Sequence, residues 1–515
     1  MKNRYLIIGI MASLLVPSLT SCDDRLDIDE HGVSPISTFY TTDSEADEAI
    51  TAVYSKWSSV FNPLHAMVNL LSDECWSGGG NHYDGSYYRL ADYTFDTDYA
   101  TISTLYQDLY NVIYASNVVI ENVKSESDIM KRAIAEAKVF RAMSNFYLVT
   151  LWGTPPLVDH TLKAGEYSQG NCDQTAMWAL IEKDLTEAIS SGALTEKSSA
   201  TDKTYRITKQ YAQALLGKTY VFEKKWSDAV TVLDQVISSG KYTLYNDYSN
   251  LNTIVGECNS ECLFEINRPT DTANPSLNFD MTWDYGGLRG EKYTYTNSST
   301  LCNRTWGFFN PTKALYDAFV AEEGQNGYRL HNTILTYQQL KDEQGATIVS
   351  GMNITDNEGY YDFKNRILAS DFCMPYNPPK NFRFMRLAEV YLLAAEANLE
   401  AGNATKATQY VNVIRKRAGV ADLATTTLND IKNEKRLELC FEMVRYQDLI
   451  RWGDAAKVLA DKGSKYPTLN ADGTVTYTTI NATADHGFKT GKNELLPIPA
   501  TEIQVNPNMK QNTGW

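Results

Sequence analysis

The sequence predicts a mainly α protein, a scaffold of helical hairpins that carries long irregular loops and minor β structure. Three observations lead there. Apolar residues recur at helical spacing in one segment after another. Two segments fold back on themselves, with Ala and Gly where paired helices would touch. Between the helical stretches, residues 70–103 and 245–380 are rich in Gly, Asn, Tyr, Trp and Pro and show weak periodicity. Such stretches suit functional loops or small irregular sheets.

The chain opens on an export signal. Lys2 and Arg4 precede an apolar run from Tyr5 to Val16, which fits the core of a signal peptide and is too short to span a bilayer stably. The run breaks at Leu19-Thr20-Ser21-Cys22, small residues before a cysteine whose thiol can take a diacylglyceryl group. Residues 1–21 are therefore expected to be a lipoprotein signal peptide, Cys22 the lipidation site and membrane anchor, and 22–40 a polar tether. The folded body is expected over 41–515.

Within that body, Asp43-Ser44-Glu45 can cap a helix running through Tyr54 and Trp57. A second helix is expected over 104–123, with Leu105, Leu109, Val112, Ile113 and Ile120 as its stripe. A third, over 129–150, stops at Trp152-Gly153-Thr154-Pro155-Pro156. Residues 174–191 read as helical. One hairpin joins 211–220 to 226–233. Another spans 387–419 and turns at Gly402, where Ala394, Ala395, Ala397 and Ala407 let the pair approach closely in a tetratricopeptide-like manner. A final helix is expected over 428–451.

Formal charge is −16, and losing Lys2 and Arg4 takes it to −18. That balance disfavours nucleic acid and anionic surfaces, which require a basic face. Of eight cysteines, seven remain besides Cys22. Cys258 and Cys262 are close enough for a local disulfide in an oxidising compartment, and the others suit core positions. No second Cys/His pair completes a zinc site, so neither metal nor cofactor is expected. Gly-x-Ser-x-Gly, His-Glu-x-x-His, phosphate-loop and dinucleotide patterns do not occur. Glu434 and Glu438 lie one helical turn apart, which ion pairing explains more simply than acid–base chemistry. Catalysis is not expected.

Four ordered motifs resemble the SusD/RagB family of outer-membrane lipoproteins of Bacteroidetes. They are Ala135-Glu136-Ala137-Lys138-Val139-Phe140-Arg141-Ala142 with Trp152-Gly153-Thr154-Pro155-Pro156-Leu157; Phe384-Met385-Arg386-Leu387-Ala388-Glu389-Val390-Tyr391-Leu392 with Ala395-Glu396-Ala397; Glu434 to Leu439 with Arg445-Tyr446-Gln447-Asp448-Leu449 and Arg451-Trp452-Gly453; and Leu496-Pro497-Ile498-Pro499 with Glu502-Ile503, Asn506-Pro507-Asn508 and Gln511-Asn512. Two departures stand out: Asn326-Gly327-Tyr328-Arg329 keeps only the arginine of an Asp-x-Arg motif, and Trp515 replaces a more usual tyrosine. The resemblance implies a SusD-like fold and a lipid-anchored capture protein facing the cell exterior. It would sit as a lid over a TonB-dependent, SusC-like transporter and hand it oligosaccharides, or peptides in the RagB-like branch. Asp23-Asp24 resembles the family's acidic surface-export signal, although a solvated tether accounts for the same residues. A secreted glycoside hydrolase and a protein-binding repeat scaffold are the competing readings.

Sugar recognition needs flat aromatic faces for the C–H side of pyranose rings and planar polar groups for hydroxyls. Two segments offer both. The first, Asp73 to Tyr88, holds Asp73, Trp76, Asn81 and Tyr83, with Gly78-Gly79-Gly80 expected to let the backbone pass close to a ligand. The second, Asp280 to Trp306, holds Trp283, Tyr285, Arg304 and Trp306. Trp76, Trp283 and Trp306 are the expected platforms, with Asp73 and Asn81 as polar partners. The alternative is that these rings pack the loops onto the helices. Trp57, Trp178, Trp226 and Trp452 fall on helical patterns or their ends and are expected to be structural.

Overall fold

The structure is a computed structural model that describes residues 39–268, 282–297, 299–371, 378–480 and 486–515. The signal peptide, Cys22, most of the tether and Asp280 lie outside the described residues.

The helical array starts with α1 (Asp43–Leu70). Its N-cap is Thr42, one residue ahead of the acidic triplet. The Thr42 hydroxyl accepts from the Glu45 N–H, and the Glu45 carboxylate accepts from the Thr42 N–H at 2.9 Å, a reciprocal capping box. Helices α2 (Ala100–Asn122) and α3 (Asp128–Trp152) pack on α1 and on each other. Next come α4 (Gln174–Ser190), α5 (Lys209–Phe222) and α6 (Trp226–Ser238), each against its predecessor. The α5–α6 approach depends on Gly217, where a Cβ would lie 2.4 Å from Leu233 Cδ2.

Residues 239–386 separate α6 from the next helix of the array, which packs directly on α6. Strands β1 (Cys75–Gly78) and β2 (Cys262–Ile266) stand outside that segment or at its entrance. Within it lie β3 (Tyr293–Tyr295), β4 (Phe308–Pro311), α7 (Lys313–Glu323), β5 (Ile334–Thr336), β6 (Ala346–Ile348), β7 (Asn353–Thr355) and β8 (Tyr360–Asp362). The exit strand β9 (Phe382–Arg386) pairs antiparallel with β2, Cys262 opposite Arg386 and Ile266 opposite Phe382. It leads into α8 (Leu387–Glu400), which contacts both α6 and α9 (Ala404–Ala418). The segment has its own apolar cluster, including Leu288, Tyr293, Leu335, Leu340 and Tyr361, beside the main core that runs from Ala46 to Met509. Helix α7 escaped the periodicity reading because it buries only Leu315 and Phe319, a single i, i+4 pair.

The helix expected over 428–451 is two helices, α10 (Leu428–Leu439) and α11 (Arg445–Trp452). Between them Phe441 and Met443 adopt φ of +62° and +61°, a conformation that costs a non-glycine residue about 1–3 kcal/mol. Long-range hydrogen bonds hold it. The Phe441 N–H donates to the Glu74 carboxyl at 3.0 Å and the Met443 N–H to Asn69 Oδ1 at 3.3 Å. Beyond α11, β10 (Lys465–Asn470) pairs with both β7 and β11 (Val475–Thr479).

The motifs that carried the family resemblance dock on one another. Gly153 ends α3 at φ +76°, where a Cβ would meet Leu495 at 2.7 Å. The Trp152 indole donates to Pro497 O at 2.9 Å, and Asn512 Nδ2 donates to Trp152 O and Leu496 O. Glu434 and Glu438 lie in a buried ion-pair belt. Arg329 Nη1 reaches Glu434 at 2.6 Å and Glu438 at 3.0 Å, and its Nε reaches Glu323 at 2.7 Å. Arg386 bridges Glu261 at 2.7 Å and Glu438 at 2.6 Å, and Arg417 joins the same two carboxylates. Cys258 and Cys262 are free thiols. Cys262 is buried on β2 with its sulfur toward Met385 O, so the local disulfide expectation is not met.

Candidate binding surface

The two aromatic segments singled out in the sequence are brought together by one antiparallel pair. Strand β1 runs against β4 with Cys75 opposite Pro311, Trp76 opposite Asn310 and Gly78 opposite Phe308. Gly78 and Gly79 have φ of +80° and +96°; a Cβ on Gly78 would lie 2.2 Å from Gly307 O, and one on Gly79 would lie 2.6 Å from the Phe308 ring. These glycines therefore admit the facing chain, not a ligand. Only such a tight crossing seats the 79–88 loop directly on Phe308.

Above this crossing sits a group of rings. Tyr83 and Tyr88 meet edge to face at 5.0 Å, Tyr87 meets both Tyr285 and Phe308, and Tyr285 meets Trp306 edge to face at 5.3 Å. Tyr83 is 63% exposed and Trp306 39%. Polar groups interleave with them. The Arg289 guanidinium contacts Asp84 at 3.1 Å, and the same Asp84 accepts from the Gly80 N–H at 2.7 Å. Asn81 is exposed, and its Oδ1 accepts from the Tyr83 N–H at 2.9 Å. Arg304 is exposed beside them, its backbone paired antiparallel with that of Arg289.

His82 anchors the loop from beneath. It is buried, with Nδ1 3.0 Å from Asp356 and Nε2 3.0 Å from Asp92, and its ring stacks on Tyr466 at 4.1 Å. Burial alone would lower its pKa, but the hydrogen bonds and charges of Asp356 and Asp92 raise it to about 9. Sequence reading passed over this residue, because nothing in six scattered histidines announces two distant carboxylates. Asp84 was likewise passed over, whereas Tyr88 and Arg289 fall within the two aromatic segments singled out, and Asp84 joins those segments through its contact with Arg289.

Three expected site residues lie elsewhere. Asp73 is held by Arg436 at 2.7 Å and Arg445 at 2.8 Å; burial opposes its ionisation, yet these two guanidinium groups keep its carboxyl below the usual range. It is a structural clamp between the end of α1 and helices α10 and α11. Trp283 packs against Phe61, His65 and Phe382, and its indole N–H donates to Lys380 O at 2.9 Å. It is half-buried and packs against the main core. Trp76 makes no ring contact with the Tyr83–Trp306 group among the described residues; its indole N–H donates instead to Glu358 at 2.8 Å. Tyr83, Asn81, Tyr285, Trp306 and Arg304 share the loop surface.

A helical-repeat body that presents a preformed aromatic surface on loops is the class of protein that fold and surface define. The chain belongs to the SusD family. The model described as SusD family matches residues 260–515, and one described as starch-binding associating with outer membrane matches 40–221. A SusD-like protein of Formosa agariphila is 26% identical over 98% of both chains. Among solved structures, a laminarin-binding SusD-like protein superposes with a TM-score of 0.75 at 27% identity, covering 92% of this chain and 99% of its own. Surface glycan-binding protein A of Bacteroides thetaiotaomicron, solved with laminarihexaose, has a TM-score of 0.73 at 22% identity over 92% of this chain and all of its own, a likeness of fold.

Proposed function

We propose that this chain is a non-catalytic, lipid-anchored glycan-binding protein of the outer membrane. It captures oligosaccharides at the Tyr83–Tyr88–Tyr285–Trp306 surface and passes them to a TonB-dependent transporter. The observation that carries this reading is the combination of half-open rings with fixed polar neighbours. Two loops far apart in sequence put aromatic faces beside Asn81, Asp84 and Arg289, and backbone and ion-pair contacts hold those groups before any ligand arrives. Preformed rings with few rotors lower the cost of ordering a flexible sugar chain. The likeness to a laminarin-binding protein supports glucans as the first ligands to try. The opening signal and the family support anchoring through Cys22 and exposure to the exterior.

Calorimetric titration with laminarin, soluble starch, xylan and a peptide mixture tests the reading, alongside an assay for released reducing ends. Binding of at least one glycan without product is expected. Trp306→Ala and Tyr83→Ala are each expected to weaken it about tenfold, roughly 1.4 kcal/mol. Steady product release, or affinity for peptide alone, would overturn it. Cross-linking in intact cells tests the transporter, and capture of a β-barrel partner is the expected result.

A further inference from the structure

Trp76 is tied to a different set of side chains through Glu358. Its indole N–H donates to Glu358 at 2.8 Å, the Lys313 N–H at the start of α7 donates to the same carboxylate at 2.6 Å, and the Tyr477 hydroxyl donates to its other oxygen. Next to Glu358 in the chain, Tyr360 stacks on Tyr316 with ring centroids 4.5 Å apart. Two aromatic residues, Trp76 of β1 and Tyr477 of β11, thus bond one carboxylate, and the stacked pair Tyr316 of α7 and Tyr360 of β8 follows it in the fold through Tyr360, two residues along from Glu358. Tyr477 is 44% exposed although fixed by hydrogen bonding, and the strand that carries it is exposed along most of its length. At the rim stand the exposed pair Lys313–Asp317, 2.6 Å apart, and Lys465, whose ammonium lies 4.5 Å from the Tyr477 ring.

We propose that the Trp76–Tyr316–Tyr360–Tyr477 face around Glu358 is a second glycan subsite, engaging another stretch of the same polymer that occupies the Tyr83–Trp306 surface. This rests on the glycan-binding reading above. The Trp76 and Tyr477 rings held by Glu358, with the stacked Tyr316–Tyr360 pair, match the apolar side of pyranoses, and Asp317, Lys313 and the tyrosine hydroxyls supply partners for sugar hydroxyls. Glu358 and Asp317 favour a neutral glycan over an anionic one. A polymer is the occupant because β1 ties the two surfaces together. Trp76 and Gly80 are four residues apart, a span of at most ~14 Å, and Gly80 is bonded to Asp84 of the first surface. Two linked contacts turn the second binding event into an intramolecular one, so the gain appears for long chains and not for short ones.

The test uses the mature chain with laminarin and laminarihexaose, or with the polymer and hexamer of whichever glycan binds. Tyr477→Ala combined with Tyr316→Ala removes one exposed and one half-buried ring and is checked for an unchanged melting temperature. Tyr477→Phe keeps the ring should the pair disturb folding. The double variant is expected to lose at least tenfold in polymer affinity and to keep hexamer affinity within twofold, whereas Trp306→Ala loses both. Tyr477→Phe is expected to stay within threefold on the polymer. Unchanged polymer affinity in the double variant overturns the second subsite and leaves the first standing. Equal losses for polymer and hexamer merge the two faces into one site and also overturn it. If the unaltered chain binds no glycan, both proposals fall.

Discussion

Arg329 and Trp306 mark two opposite uses of side chains in this molecule. The guanidinium is wholly buried, ion-paired to Glu323, Glu434 and Glu438; the indole is 39% open to solvent. The scaffold buries charge, and the loop surface leaves aromatic carbon exposed, the reverse of the common partition. Buried arginines join segments far apart in sequence: Arg386 of β9 reaches Glu261 and Glu438, and Arg451 reaches Glu396 at 2.5 Å. Each pair makes sense in only one register of the helices. Exposed rings, by contrast, are held by edge-to-face contacts with neighbouring rings, Tyr83 by Tyr88 and Trp306 by Tyr285. On the proposed reading, stability and binding draw on different residue sets that meet at His82.

That separation can be broken most forcefully at Glu438. Glu438→Gln leaves Arg386, Arg417 and Arg329 short of a buried countercharge, and loss of one partner from such a belt costs about 3–5 kcal/mol. Chemical denaturation is expected to show that loss while the folded fraction keeps its glycan affinity. A variant of normal stability with lost affinity would dissolve the distinction. Asp73 sharpens it further, since its sequence context placed it in the site and its contacts place it in the scaffold. Asp73→Asn weakens the hold on Arg436 and Arg445 and should cost about 2–3 kcal/mol of stability with no change in dissociation constant. Trp306→Ala is the mirror image, about tenfold in affinity with the denaturation midpoint unmoved.

How much of this was legible depends on where each residue's partners lie in the chain. The helices of the array declared themselves through stripes such as Leu105, Leu109, Val112 and Ile113, whose partners are one turn away or on the next helix. The break at Phe441–Met443 did not, because Asn69 and Glu74 hold it from more than 360 residues upstream. The same rule divides the tryptophans. A tryptophan in an aperiodic loop looks alike whether it packs on Phe61, as Trp283 does, or faces solvent, as Trp306 does. Trp76 meets its partner 282 residues away. The glycine triplet correctly signalled a close approach but could not say that Gly307 and Phe308 were what approached. Both aromatic loops were thus visible as compositions, and the pairing of β1 with β4 that brings them together was not.

The smallest effect expected is also the most diagnostic of how scaffold and surface communicate, because His82 belongs to both. Its ring is buried between Asp92 and Asp356, with the Lys462 ammonium close to both carboxylates, while its neighbours Asn81 and Tyr83 form the exposed loop. Its pKa is raised from 6.5 to about 9. A group whose folded pKa lies above its unfolded value contributes stability in full below about 6.5 and loses it as pH climbs towards 9. The loop should therefore loosen on the alkaline side, not the acid side. Between pH 7 and 9.5 the affinity of the Tyr83–Trp306 surface is expected to fall about threefold, ~0.7 kcal/mol, and amide exchange over residues 79–92 to quicken beyond its intrinsic rise with pH. His82→Gln cannot be protonated in this range. It should bind more weakly at pH 7 and show a flat profile, with its loop already loosened. Matching alkaline slopes in the two proteins would show that the clamp leaves the surface indifferent to its charge, and that the aromatic loop is held by the β1–β4 crossing alone.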